Sequence, residues 1–143
     1  MKKKFIAGAL ALGLIPTIGS TAVSAKSIQN PVKVINPLED PRCDRGTLIC
    51  ETGYFTAAGN LYFDYFGSEE DKIRVYIAND GDYPFEYKIT NPDGKRIADG
   101  ITVKPGKFKE TTFYVKDIEG TYKVRVTNKD GEDIQAFVKA RGL

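Results

Sequence analysis

An antiparallel β-sandwich is the fold this sequence predicts, and three observations carry the prediction. Short runs alternate apolar and polar residues with period two, the mark of strands that bury one face. Between the runs lie clusters of Asn, Asp, Gly and Pro suited to tight turns, at spacings of about 8–12 residues. No stretch beyond the N-terminal leader has the apolar spacing of an amphipathic helix. The expected class is therefore all-β: a single sandwich, immunoglobulin-like or jelly-roll-like, of about seven to nine strands.

The chain opens with the three parts of an export signal in order. Lys2, Lys3 and Lys4 give a positive start, and Val23, Ser24 and Ala25 give a small-residue exit. Phe5 to Ile15 is an apolar run shorter than the roughly 20 residues that a membrane span needs. Residues 1–25 are thus expected to be a signal peptide, cut after Ala25. No cysteine near the cut can receive a lipid, and no apolar tail follows Arg141. The expected location is secreted and extracellular, with no stable membrane insertion once the signal is removed.

Residues 26–42 contain Pro31, Pro37 and Pro41 and little hydrophobic pattern, so they read as an extended lead-in. The sandwich domain is expected over residues 43–143. A first strand is placed near Thr47 to Glu51. In "NLYFDYF", Leu61, Phe63 and Tyr65 share one face, and Tyr62 and Asp64 share the other. "KIRVYIA" sets Ile73, Val75 and Ile77 against Arg74 and Tyr76, and "FEYKIT" sets Phe85, Tyr87 and Ile89 against Glu86, Lys88 and Thr90. Short strands are expected at Arg96 to Ala98 and Ile101 to Val103. "TTFYV" puts Thr111, Phe113 and Val115 opposite Thr112 and Tyr114. "TYKVRVT" puts Tyr122, Val124 and Val126 opposite Lys123, Arg125 and Thr127, and "IQAFVKA" puts Ile134, Ala136 and Val138 opposite Gln135, Phe137 and Lys139. Turns fall at Asn79-Asp80-Gly81, Asn91-Pro92-Asp93-Gly94, Asp99-Gly100, Pro105-Gly106 and Asn128-Lys129-Asp130-Gly131. The last two strands, joined through Asn128 to Asp133, are expected to form a hairpin.

Composition excludes several function classes. The chain contains no His and no Trp, so no histidine triad, imidazole base or His-ligated metal site can form. Residues 1–25 hold three Lys and no acid, which leaves 18 basic and 19 acidic side chains, a net −1. A near-neutral chain with mixed charges gives no overall footprint for nucleic acid or anionic membrane. The expectation is no nucleic-acid partner.

Cys43 and Cys50 are the only two cysteines. Two thiols fall short of the four ligands of a structural metal site, and six intervening residues do not match the two of a redox motif. After export an even pair is expected to be a structural disulfide fastening the lead-in to the first strand.

Glu69, Glu70 and Asp71, then Asp80 and Asp82, then Asp130, Glu132 and Asp133 cluster in turns and raise the question of calcium. None has EF-hand spacing, and charged turns are ordinarily solvated, so no cofactor is expected, calcium being the weak exception. The same carboxylates admit a hydrolase, but nothing in the spacing sets two of them across a cleft. No serine nucleophile motif is present either, and no catalytic residue is assigned. Tyr62, Tyr76, Tyr114 and Phe137 point away from the core in the expected phase. Outward aromatics on several strands can form a flat platform for sugar or protein. The bland alternative is that Tyr simply suits strands and that some of these rings pack under loops or the lead-in.

"LYFDYF" at 61–66, "IRVYI" at 73–77, "NPDGKRI" at 91–97 and "GTYKVRVTN" at 120–128 resemble small secreted bacterial β-sandwiches of the pre-peptidase C-terminal type. That group includes the collagen-binding domains of clostridial collagenases. The resemblance runs over residues 60–143, and it implies a non-catalytic accessory or matrix-binding module of bacterial origin. The leading expectation is a secreted, non-enzymatic protein that binds an extracellular protein or glycan surface. The alternative is a small secreted toxin, bacteriocin or inhibitor acting on a target cell or enzyme.

Overall fold

The computed structural model describes the backbone of residues 32–34 and all of residues 40–143. The export signal expected at 1–25 and the remainder of the expected lead-in lie outside the described residues. Nine strands occur in chain order: β1 Val32–Val34, β2 Thr47–Thr56, β3 Ala58–Tyr65, β4 Lys72–Asn79, β5 Phe85–Thr90, β6 Arg96–Val103, β7 Phe108–Tyr114, β8 Gly120–Thr127 and β9 Asp133–Gly142. They form two antiparallel sheets, ordered β1-β2-β9-β4-β7 and β3-β8-β5-β6, which pack face to face as the expected sandwich. The described residues contain no helix, and so none long and apolar enough to cross a membrane.

Strand limits differ from the sequence expectation by a residue or two at several ends, and more substantially in three places. The run beginning at Thr47 continues to Thr56. Arg96 to Ala98 and Ile101 to Val103 are one strand, because Gly100 at φ 66° lets the backbone kink and continue while the register against β5 shifts. The strand expected from Thr111 begins three residues earlier, at Phe108.

Alternation fills the space between the sheets. Ile73, Val75 and Ile77 of β4 face Phe85, Tyr87 and Ile89 of β5 together with Tyr122, Val124 and Val126 of β8, and all are buried. The ring of Tyr122 is the hub of an aromatic cluster. It stacks on Phe63 at 5.4 Å and meets the edge of Tyr65 at 6.3 Å. Each buried phenol finds a polar partner, as a hydroxyl in an apolar interior must. Tyr122 donates to the Ile118 carbonyl at 2.8 Å, Tyr65 shares a bond with Ser68 Oγ at 2.8 Å, and Tyr87 shares one with Thr111 Oγ1 at 2.9 Å.

The chain leaves β2 for the opposite sheet through Ala57, which takes φ 67°. The Phe55 ring fills the inside of this bend, directly over Gly53 and Gly59. A Cβ at either glycine would overlap the ring, so only glycine lets the two strands close around Phe55.

Two turns share one construction. Asn91-Pro92-Asp93-Gly94 and Asn128-Lys129-Asp130-Gly131 each bury their Asn and place Gly at positive φ, 85° and 80°. In the first, Asn91 Oδ1 accepts from the backbone N–H groups of Asp93 and Lys95. In the second, Asn128 Oδ1 accepts from Asp130 and Glu132.

Their outcomes differ, and the hairpin expected between the last two strands is overturned. The first turn joins β5 to β6 within one sheet. The second carries the chain from β8 to β9, which lie in different sheets. The physical cause is a tertiary bond. Asn128 Nδ2 donates to the Pro84 carbonyl at 2.7 Å, and the Asn128 N–H donates to the Ala57 carbonyl, also at 2.7 Å. These bonds hold the turn across the end of the sandwich. Val126 and Ile134, on either side of it, then enter one core from opposite walls. Asn79 acts similarly between β4 and β5: its Nδ2 donates to the carbonyls of Tyr83 and Val103, and its Oδ1 accepts from the Gly81 N–H.

Replacing Asn128 with Ala is expected to cost about 2–4 kcal/mol, because several buried backbone groups lose their partner at once. Asn91→Ala, confined to its own hairpin, is expected to cost about 1–2 kcal/mol. Urea unfolding of the two variants compares them directly, and equal losses would contradict the clamp.

Stability should also fall in alkali. Burial, with the neighbouring Tyr65 and Asp93 adding to it, pushes the Tyr122 phenol up to about 12, and burial raises Tyr87 as well. A free tyrosine titrates near 10. The native state therefore holds these protons more tightly than the unfolded chain. The contribution is complete below pH about 10 and is lost as pH rises through the native value. Unfolding midpoints followed with phenolate absorbance should decline together over that window, and Tyr122→Phe should flatten the decline.

Candidate interaction surfaces

With the interior filled, function falls to the outer faces and the loops. On the five-stranded sheet, antiparallel pairing sets Phe137 of β9 beside Ala78 of β4, and Ala78 beside Phe108 of β7. Tyr76, one pleat along β4, bridges them: it meets Phe137 edge-on at 6.1 Å and stacks on Phe108 at 4.8 Å. The result is an aromatic ladder across three strands. It is wholly buried at Phe137 and 57 % exposed at Phe108.

The buried end is covered by the segment that precedes β2. Cys43 is disulfide-bonded to Cys50, the bond expected from the sequence, and it brings residues 40–46 back over the sheet. Cys43, Cys50, Ala78 and Phe137 form a second, small core outside the sandwich. Arg42 lies flat on Phe137, its guanidinium carbon 3.7 Å from the ring centroid. The guanidinium also binds Asp40 at 2.9 Å and both oxygens of Asp80, at 2.9 and 3.1 Å. The Arg42 hydrogen bond holds the Asp40 carboxyl below the usual carboxylate range, and the same bond raises Arg42. The cover therefore tightens above the acid range, where Asp40 is ionised.

The four aromatic positions singled out in the sequence do not form one platform. Phe137 does point away from the sandwich core but is completely buried. The lead-in packs on it, and it is withdrawn from the exposed set. Tyr76 is partly buried in the ladder. Tyr114 is 75 % exposed at the far end of β7, where the Lys72 ammonium sits 5.1 Å from its ring. Tyr62 is 55 % exposed but belongs to the opposite sheet. Sequence reasoning missed Phe108. The signal was present, since Phe108, Glu110, Thr112 and Tyr114 share one parity, and extending the alternation backward through the lysines reaches it.

Three of the turn carboxylates have side-chain partners. Asp80 is held by Arg42, Glu70 pairs with Lys72 at 3.0 Å, and Asp133 accepts from Thr56 Oγ1 at 2.9 Å. Among the described residues, no three Cys, Asp or Glu side chains gather as metal ligands would. Glu51 is raised by burial alone. A hollow of about 120 Å³ lies beside Asn128, lined by Pro84, Glu86, Thr102, Thr127, Lys129 and neighbours. The Lys129–Glu86 pair at 2.8 Å forms part of its lining, and ligand pockets commonly span roughly 300–1,000 Å³.

The outer face of the four-stranded sheet has a different chemistry. Register aligns Asn60, Arg125 and Lys88 in one row across β3, β8 and β5, and Tyr62, Lys123 and Thr90 in the next. Cations thus occupy the middle of this face.

No protein-family model matches the chain, and no curated protein matches it in sequence.

The disulfide closes a short loop, and replacing Cys43 and Cys50 by Ser should lower stability by about 2–3 kcal/mol on the chain-entropy estimate. The same variant should bind an apolar dye in its native state, because the cover over Phe137 loosens while the inter-sheet core stays intact. Unchanged dye binding with unchanged near-ultraviolet tyrosine signal would mean that Arg42 and packing hold the cover without the bond.

Proposed function

We propose that the protein is a secreted, non-enzymatic binding module that engages an extracellular protein or glycan surface through the outer face of its five-stranded sheet. One observation carries this reading: the stacked Tyr76–Phe108 pair, whose outer ring is left in water although the core does not need it there. An exposed ring on a rigid strand offers apolar contact area with little conformational entropy to lose. Tyr114 and Lys72 extend the same face toward its other end. Anchoring on rigid strands favours recognition of a flat or extended surface. The Cys43–Cys50 bond supports export, since such bonds persist in oxidising compartments, and the leader at residues 1–25 supports it independently. The likeness of residues 60–143 to matrix-binding sandwiches is consistent with this role.

Retention of the exported chain on insoluble glycans, collagen and whole cells tests the reading. Phe108→Ala and Tyr76→Ala should each weaken retention by about tenfold, the effect of losing one anchor of roughly 1–2 kcal/mol. Phe108→Ala should leave the unfolding midpoint nearly unchanged. Absence of retention on every surface, with growth inhibition of neighbouring strains, would replace this reading with the toxin or inhibitor one.

A further inference from the structure

The opposite face carries a second site. We infer that the outer surface of the β3-β8-β5-β6 sheet binds an acidic polysaccharide. Lys88 and Arg125 are direct cross-strand neighbours, and Lys123 lies two residues from Arg125 on the same face of β8. Like charges opposite each other on paired strands repel and destabilise the sheet. Lysines often guard exposed sheet edges against aggregation. That role does not apply here, because β8 and β5 are the two interior strands of this sheet.

The five-stranded face also sets like charges opposite each other, Arg74 of β4 against Arg141 of β9, but there Arg74 has an acid beside it. On the five-stranded sheet, Lys72 pairs with Glu70, Arg74 with Glu110 and Lys139 with Asp44. On the four-stranded sheet each acid has another partner, although Lys88 adds to the Arg96 hydrogen bond in lowering the Asp99 carboxyl. Glu86 pairs with Lys129, Asp99 with Arg96, and Asp64 accepts from Thr121 at 2.6 Å. Among the described residues, Lys88, Lys123 and Arg125 form no ion pair, and Arg125 makes only a long bond of 3.4 Å to Asn60 Oδ1. The centre of the face is thus a positive array complementary to a negative ligand.

The geometry selects the class of ligand. The cations are spaced by about 4.8 Å across strands and about 7 Å along one, the dimensions of the sheet itself. They follow one another along and across neighbouring strands, so they suit an extended polymer that bears charge at intervals. Tyr62, the direct partner of Lys123, exposes its ring beside them, as a sugar ring stacking on an aromatic face requires. Thr90 and Thr121 add hydroxyls at the margin. Single-stranded nucleic acid favours several stacking rings along a groove, and Tyr62 is the one ring in the two rows that carry these cations.

The site is separate from the Tyr76–Phe108 ladder, so the two readings fail independently. Affinity electrophoresis of the exported chain in heparin, polygalacturonate and neutral dextran, with polyphosphate and a single-stranded oligonucleotide in parallel, tests it. Binding to heparin or polygalacturonate but not dextran is expected, weakening as salt rises, and the two acidic glycans separate sulfate from carboxylate preference. The triple variant Lys88→Gln, Lys123→Gln, Arg125→Gln should lose affinity by about tenfold or more. Tyr62→Ala should weaken glycan binding and leave polyphosphate binding unchanged, while Phe108→Ala should alter neither. Circular dichroism confirms that each variant is folded. Equal migration of wild type and triple variant in both acidic glycans would overturn the inference. So would polyphosphate or oligonucleotide binding tighter than glycan with no effect of Tyr62→Ala.

Discussion

The demand that buried backbone groups find partners governs the end of the sandwich where four connections meet. Apart from the β1–β2 pairing and the β5–β6 hairpin, the chain changes sheet after every strand it completes. Such crossings force turns to pass over the core, where an unpaired N–H or C=O costs about 1–3 kcal/mol. Asn79 and Asn128 meet that demand with one side chain each. Both donate and accept, so each closes its own turn while fastening a neighbouring one. The Ala57 N–H donation to the Glu132 carbonyl at 3.1 Å completes the lattice. With these ties, two sheets without a continuous hairpin ladder between them stay in register as one core.

A sandwich assembled this way leaves two outer faces with unequal fates. One is partly taken up by the chain itself, since the disulfide and Arg42 fold residues 40–46 onto Phe137. What remains open on that side is the exposed end of an aromatic ladder, at Phe108. The other face has no such cover among the described residues, and its central strands carry cations in direct opposition. The first surface suits apolar contact and the second suits charge. The small core around Cys43, Cys50, Ala78 and Phe137 also makes the segment before β2 part of the fold.

Much of the candidate chemistry was legible because alternation fixes which side of a strand a residue occupies. The outward direction of Tyr62, Tyr76, Tyr114 and Phe137 follows from parity alone, and all four do point away from the inter-sheet core. Parity says nothing of what lies above a face. Phe137 is buried because a segment distant in sequence lands on it, and Tyr62 is separated from the others because β3 joins the opposite sheet. Net charge was similarly blind. A chain total of +2 does not reveal three cations set side by side, since their meeting depends on the register of β8 against β5.

By itself the sequence determined the strand class, the turn positions, the inward residues and the Cys43–Cys50 bond. Each follows from local spacing or from the cysteine count, and neither needs knowledge of neighbours. Tertiary structure alone decided connectivity. The Asn91 and Asn128 turns have the same Asn-x-Asp-Gly pattern and the same side-chain bonds to their own backbones, yet one closes a hairpin and the other crosses between sheets. The difference is the carbonyl of Pro84 waiting for Asn128 Nδ2, a partner 44 residues away that no local reading of either turn contains.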